Sequence, residues 1–209
     1  MILAAIETRI TIRNPQIVLE KGIPDGGNIF AINGSPTDKN VEEVELGFRK
    51  ALKGSKLKIA YTGYCDNWLA EMAATHVNKG LEVTDDIVGV MCGNDDLASQ
   101  AVKVLAENRL AGQVALVAQD ADLAACQRIV EGTQTMTVYK PIEQEASTAA
   151  ILAVALGNGT DITSKDCEIP VTETTDDGSG EIPYYKITPI AVTAENMDEV
   201  IVDGGFHSK

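Results

Sequence analysis

Aromatic residues are scarce: they make up 4% of the 209 residues, and Trp68 is the single tryptophan. A core with so few rings must be built from Ala, Val, Ile and Leu, which suits helices packed closely on a sheet. Basic residues are also short, with 17 Lys and Arg against 31 Asp and Glu and a formal net charge of -14. Phosphate backbones and anionic membrane surfaces would be repelled, so nucleic acid is excluded as a partner. There are only two histidines, His76 and His207, far apart in sequence, and they read as bystanders rather than as a metal pair. None of the four cysteines (Cys65, Cys92, Cys126, Cys167) falls in a C-x-x-C pair, which excludes a zinc knuckle or a thioredoxin-type motif. Their wide spacing reads as buried small apolar residues. Asp161, Asp166, Asp176 and Asp177 lack the order of a calcium loop. No apolar run approaches the ~18 residues of a membrane span. The opening MILAAIETRI lacks a basic n-region and a sufficient apolar core, so it does not read as an export signal.

What is present is a rhythm. Short apolar runs at 28–32, 57–61, 87–91, 114–118 and 135–139 are strand length and rich in β-branched or aromatic residues. Helical spacing fills the gaps at 41–52, 68–77, 97–105 and 123–130. Capping residues stand at the starts: Asp66 and Asn67, Asn94 to Asp96, and Asp120 to Asp122. Pro141 opens an Ala-rich helix that Gly157-Asn158-Gly159 closes. Asn14-Pro15 opens a short helix to about Lys21. Residues 160–182 read as a long acidic, Thr-rich surface loop, and 184–192 as a last strand. Alternating strands and helices predict an α/β fold, a parallel sheet with helices on both faces.

In an open parallel sheet, ligands bind beyond the carboxyl ends of the strands. The residues that follow successive strands include Asn40, Trp68, Asn94, Asp120 and Lys140. A carboxylate accepts from two neighbouring hydroxyls, an amide both donates and accepts, and a lysine donates. An indole offers a flat apolar face to the C–H side of a pyranose. That set suits a neutral polyhydroxylated ligand. No Gly-rich phosphate loop follows any strand, and no Ser/His/Asp or Cys/His set stands at the strand ends, so neither a nucleotide nor an enzyme is expected. Taken singly, Asn94 and Asp120 read equally as helix caps, Trp68 as core and Lys140 as a solvated loop residue.

The segments GNIFAINGSPTDKN (27–40), CDNWLAE (65–71), GNDDLASQAV (93–102) and GQVALVAQDADLAACQRIVEGTQTMTVYKPI (112–142), with ITPIAV and DGGFH near the end, carry a resemblance. Residues from about 27 to 207 resemble the second lobe of the periplasmic sugar-binding proteins of the ribose/xylose type, the substrate-capture components of ABC transporters. The resemblance implies one lobe of a type I periplasmic binding protein fold. In that family two such lobes, joined by a hinge, trap a sugar between them. It implies a monosaccharide ligand, D-xylose first, held by Asn40, Trp68, Asn94, Asp120 and Lys140, with Trp68 stacked on the ring and Lys140 donating near the hinge. It implies no cofactor, no metal and no catalysis, a periplasmic or extracytoplasmic location, and a transporter permease or sensor protein as partner. The alternative is a truncated regulatory lobe that docks on such a component without trapping sugar.

The whole of 1–209 is expected to form a single sugar-binding lobe. Residues 1–22 would be a start and short helix, 23–140 the core βα units, and 141–209 the hinge-following helix, acidic loop, last strand and tail. The family's first lobe has no counterpart in this sequence. The apolar side of the 142–156 helix is therefore expected to find no partner in the chain, favouring self-association or a missing first lobe.

Overall fold

The computed structural model describes residues 26–176 and 178–208, and the helix expected between Asn14 and Lys21 lies outside them. The apolar runs form the strands β1 (Gly26–Asn33), β2 (Lys56–Tyr64), β3 (Ile87–Cys92), β4 (Ala115–Val117) and β5 (Thr137–Tyr139). The first four pair in parallel in the order β2-β1-β3-β4. A parallel bridge from Val117 to Met136 continues the order to β5, and β5 pairs antiparallel with β8 (Ile190–Val192).

The helices are α1 (Lys39–Ala51), α2 (Glu71–Val83), α3 (Asp95–Glu107), α4 (Leu123–Glu131) and α5 (Ile142–Gly157). Alternation along β1 divides its side chains between two cores. Phe30 and Ile32 join Ala73, Val77, Leu97 and Leu105 of α2 and α3 on one face. Ile29 and Ala31 join Val44 and Phe48 of α1 on the other. Helices thus cover both faces, as expected. The close packing allowed by small residues is visible at Gly80 of α2, where an added methyl would sit 2.6 Å from the Phe30 ring. All four cysteines are free and buried, as their spacing indicated.

The chain divides into two compact units. The larger comprises, among the described residues, 26–139 with 190–208, and it holds the sheet. The smaller includes Lys140–Pro189. In the smaller unit α5 buries Thr148 and Leu152, and Leu152 packs with Ile162, Cys167 and Val171. The segment 160–182 is therefore more than a surface loop. Its first part covers one stripe of α5, and its second part contributes β6 (Glu173–Asp176), which pairs antiparallel with β7 (Glu181–Tyr184). Isolated apolar residues among threonines and acids concealed both features. The expectation that the apolar side of α5 goes unpartnered is corrected accordingly, although Ile142 (54%) and Val154 (63%) remain exposed.

The strand expected over 184–192 is two strands, because the chain leaves one unit for the other within it. β7 ends at Tyr184 and pairs inside the smaller unit, while β8 begins after Pro189, which has no N–H to offer a ladder. Helix α2 starts at Glu71 rather than at Trp68, because Asn67 (φ 53) and Trp68 (φ 58) adopt left-handed backbone that no right-handed helix continues.

Candidate functional site

Backbone hydrogen bonds stitch the carboxyl ends of the strands into one row. Cys65 N donates to Asn33 O (3.0 Å) and Gly93 N to Ile32 O (2.8 Å), tying the turns after β2 and β3 to the end of β1. Asp95 N donates to Gln119 O (2.9 Å), and Asp120 N to Val138 O (2.8 Å), extending the row past β4 to β5. Gln119 Oε1, buried at this edge, has no hydrogen-bond partner among the described residues, and Asn33 Nδ2 beside Tyr64 makes no well-formed one. Such atoms are costly unless water or a ligand serves them.

Trp68 lies in a 3-10 turn, Asp66–Trp68, directly after β2. Its Nε1–H donates to Asp38 Oδ2 (3.1 Å), while Asp38 Oδ1 accepts from Asn40 N (2.9 Å) as the cap of α1. One carboxylate thereby fixes both the tryptophan ring and the first turn that carries Asn40. The benzo edge of the indole rests on bare backbone. A methyl added at Gly34 would lie 2.3–2.4 Å from three ring carbons, and one at Gly93 would lie 3.2 Å from the ring. Only glycine leaves the ring this seat.

Asn94 is the N-cap of α3, its side chain accepting from Leu97 N (2.9 Å). The cap reading is therefore correct for Oδ1, and the Nδ2 half of the amide remains for other work. Asp120 (φ 105) and Ala121 (φ 56) form a second left-handed pair, with two residues between it and the end of β4. Asp and Asn tolerate such backbone better than most residues. This turn is held on every side. Ala121 N donates to Thr137 Oγ1 (3.1 Å), Asp122 N to Asp95 Oδ2 (3.1 Å), and His207 Nε2 to Ala121 O (2.9 Å). The Phe206 ring lies tilted against those of His207 and Tyr139, with centroid separations of 4.4 and 4.8 Å.

Beneath the turn lies a buried polar cluster. Asp95 is fully buried, and its carboxylate accepts from Gln134 Nε2 (2.9 Å), Thr137 Oγ1 (2.7 Å) and Asp122 N. Arg128 braces the partners: Nε donates to Gln134 Oε1 (2.9 Å) and Nη1 to Ser99 Oγ (2.8 Å). Burial pushes the Asp95 carboxyl up to about 6, against the opposing pull of its three hydrogen-bond donors. Asp122 is also raised, first by burial and then by Asp120 and Asp96. Negative charge thus gathers beside Asp120, an unfavourable place for a phosphate.

The structure places Asn40 in the first turn of α1 after β1, and Trp68, Asn94 and Asp120 on the connections that follow β2, β3 and β4, all in the larger unit. Asn40 and Trp68 share Asp38, Trp68 abuts Gly93 beside Asn94, and Asn94 and Asp120 are linked through Asp95 and Gln119. Lys140 follows β5 at the head of the smaller unit, where its carbonyl accepts from Ile142 N (2.7 Å). Sequence reasoning met Asp38, Gly34, Gly93 and Asp95 among the strand-end residues but gave them no site role, reading Asp95 only as a helix-start residue. Asp38 was readable as a cap ahead of Val41, whereas nothing local marks the glycines as a seat or Asp95 as buried. Among the described residues no group of three His, Cys, Asp or Glu could hold a metal, and no helix is long and apolar enough to cross a membrane.

The family profile of the periplasmic binding protein domain matches residues 18–161. A D-xylose-binding periplasmic protein of Escherichia coli is 39% identical over 189 residues, covering 88% of this chain and 55% of that protein. A D-xylose-binding periplasmic protein of Haemophilus influenzae is 38% identical over 188 residues, covering 88% and 54%. The chain thus spans about half the length of these curated relatives. Among solved structures, a carbohydrate transporter solute binding protein from Chloroflexus aurantiacus, in complex with D-glucose, matches with a TM-score of 0.77 at 21% identity, covering 92% of this chain and 64% of that one. An ABC transporter periplasmic solute binding protein from Actinobacillus succinogenes, with bound D-allose, matches at 0.71 and 23%, covering 88% and 57%. At such identities the structural likeness is one of fold, the α/β lobe of type I periplasmic binding proteins. The profile match and the two curated relatives go further: this chain belongs to the periplasmic binding protein domain family.

Proposed function

We propose that the chain is a sugar-binding lobe that takes a monosaccharide, D-xylose first, as part of substrate capture for an ABC transporter in the periplasm, and performs no chemistry on it. The observation that carries this reading is the seating of Trp68. An indole held by Asp38 on a glycine floor, at the carboxyl edge of a parallel sheet, is a pre-set platform for a sugar ring. Asn94 and Asp120 flank it with the amide and carboxylate that vicinal hydroxyls need. Asn40 completes the set in the larger unit, and Lys140 enters as a fifth candidate from its place after the fifth strand and from the sequence resemblance. The names of the curated relatives support D-xylose, whereas the sugars in the solved structures are several, which keeps the choice of sugar an experimental question.

A single lobe encloses only part of a ligand, so the expected affinity is weak, on the order of millimolar. Because Trp68 is the only tryptophan, its fluorescence reports on this site alone. Titration with D-xylose, D-ribose, D-glucose and ATP tests the proposal. A saturable response to an aldopentose and none to ATP is expected. Tight ATP binding, or no response to any sugar up to solubility, would overturn it.

A further inference from the structure

We infer that Asp95 is a positioning residue whose buried carboxylate locks the Asn94 turn and the Asp120 turn into one rigid unit. The inference rests on the sugar-binding reading for its functional meaning, but the coupling itself is a matter of bonds. Asp95 immediately follows Asn94, and its N–H holds Gln119 O, one residue before Asp120. Its Oδ2 holds Asp122 N, two residues after Asp120. The same oxygen accepts from Thr137 Oγ1, which in turn accepts from Ala121 N. Asp95 therefore straddles the left-handed Asp120-Ala121 pair and grips it at three points. A backbone of that kind persists only when its surroundings over-determine it.

The polarity of the cluster selects the anion. The three partners of the carboxylate, Asp122 N, Gln134 Nε2 and Thr137 Oγ1, are donors, and two of them cannot reverse. Asp122 offers a backbone N–H, and Gln134 is oriented by Arg128 Nε at its oxygen and by Met136 O at its nitrogen. A proton on Asp95 would face donors, and one of the three bonds must yield. The titratable and charged groups around it are Asp122, Cys126 and Arg128 from α4 and the turn before it, and Cys92 from the end of β3. Burial pushes the thiols of Cys92 and Cys126 up, so both stay neutral through the neutral range. The Asp95 carboxyl, at about 6, is the group that changes state on mild acidification.

The test is amide hydrogen exchange, read residue by residue, on wild type and Asp95→Asn, with D-xylose titrations alongside. The Asn variant must set an NH2 against at least one donor. The amides of Ala121 and Asp122 should then exchange faster than in wild type, while those of β1 and β3 hold their rates. D-Xylose affinity should fall roughly tenfold or more, as expected for loss of a charge-assisted hydrogen bond. Should Asp95→Asn fail to fold, Thr137→Val removes one grip only and should speed exchange at Ala121 and Asp122 by less. Wild type that binds no sugar, with the turn still loosened in the variant, would defeat the sugar reading and leave the coupling standing. Unchanged exchange at Ala121 and Asp122, or an equal rise across β1 and β3, would overturn the inference whatever the sugar does.

Discussion

Replacing Gly34 by alanine would put a methyl carbon 2.3–2.4 Å from three carbons of the Trp68 indole. Carbon atoms are comfortable at about 3.5–4 Å, so the ring would have to retreat by roughly 1 Å or more. The conflict is steric only, because Gly34 does not need the left-handed backbone that would penalise any side chain. The ring has nowhere convenient to go. Tilting it away from the floor stretches the 3.1 Å bond from Nε1 to Asp38, and Asp38 is committed to the first turn of α1. Overpacking of this kind costs about 1–3 kcal/mol, and the half-buried position of Trp68 argues for the low end. Sugar binding should suffer by about 1–3 kcal/mol, roughly 5- to 150-fold, as ring stacking and the fixed indole geometry are lost together. Steady-state tryptophan emission and a D-xylose titration measure both effects. Gly157→Ala is the control, since an added methyl there meets nothing within 4 Å. Emission and affinity identical to wild type in Gly34→Ala would show that the ring is not seated on this floor, and the platform argument would fail.

Other perturbations follow the same logic. The folded-state value of about 6 for Asp95 exceeds its ordinary 3.8, so the stability this group contributes is complete below about 3.8 and is lost as pH rises through about 6. Urea unfolding of wild type and Asp95→Asn at pH 7.5 and 5 should show the balance moving toward wild type by about 1 kcal/mol at the lower pH; movement the other way refutes the assignment. Gly80→Ala should destabilise by about 1–3 kcal/mol, because the new methyl meets the fully buried Phe30 ring at 2.6–2.9 Å. Leu152→Ala should cost about 2–5 kcal/mol, read as faster exchange confined to the smaller unit. A loss spread evenly over both units would contradict that division.

The βα rhythm was legible because each element carries its own period. β1 alternates between two cores and α1 repeats Val41, Val44 and Phe48. The strand-end rule offers Asn40, Trp68, Asn94, Asp120 and Lys140 as candidates without reference to any relative. What stayed hidden depends on distant partners. Asp95 reads as a helix-start acid, and only the fold sets Thr137 and Gln134 against it, 42 and 39 residues away. The start of α2 was misplaced because Trp68 and Leu69 continue an apolar spacing, while the backbone at Asn67 and Trp68 has already turned left-handed. The split of 184–192 was concealed because Ile187 and Ile190 look like one run, although the strand partners on either side of Pro189 belong to different units.

The two left-handed pairs also constrain how such a lobe can change over generations. At φ 58 and φ 105, the positions of Trp68 and Asp120 are hostile to β-branched side chains whatever those chains might contribute to recognition. Val, Ile and Thr are thereby filtered out before selectivity is ever weighed, while Gly, Asn and Asp pass. Under the proposed sugar reading, drift toward a new ligand is steered away from the turns and onto Asn40 and Asn94, whose backbones carry no positive φ. A lineage, or an engineer, that altered preference through Asn40 and Asn94 first would keep the platform intact, and one that began at Trp68 or Asp120 would have to rebuild the turn before it could change the taste.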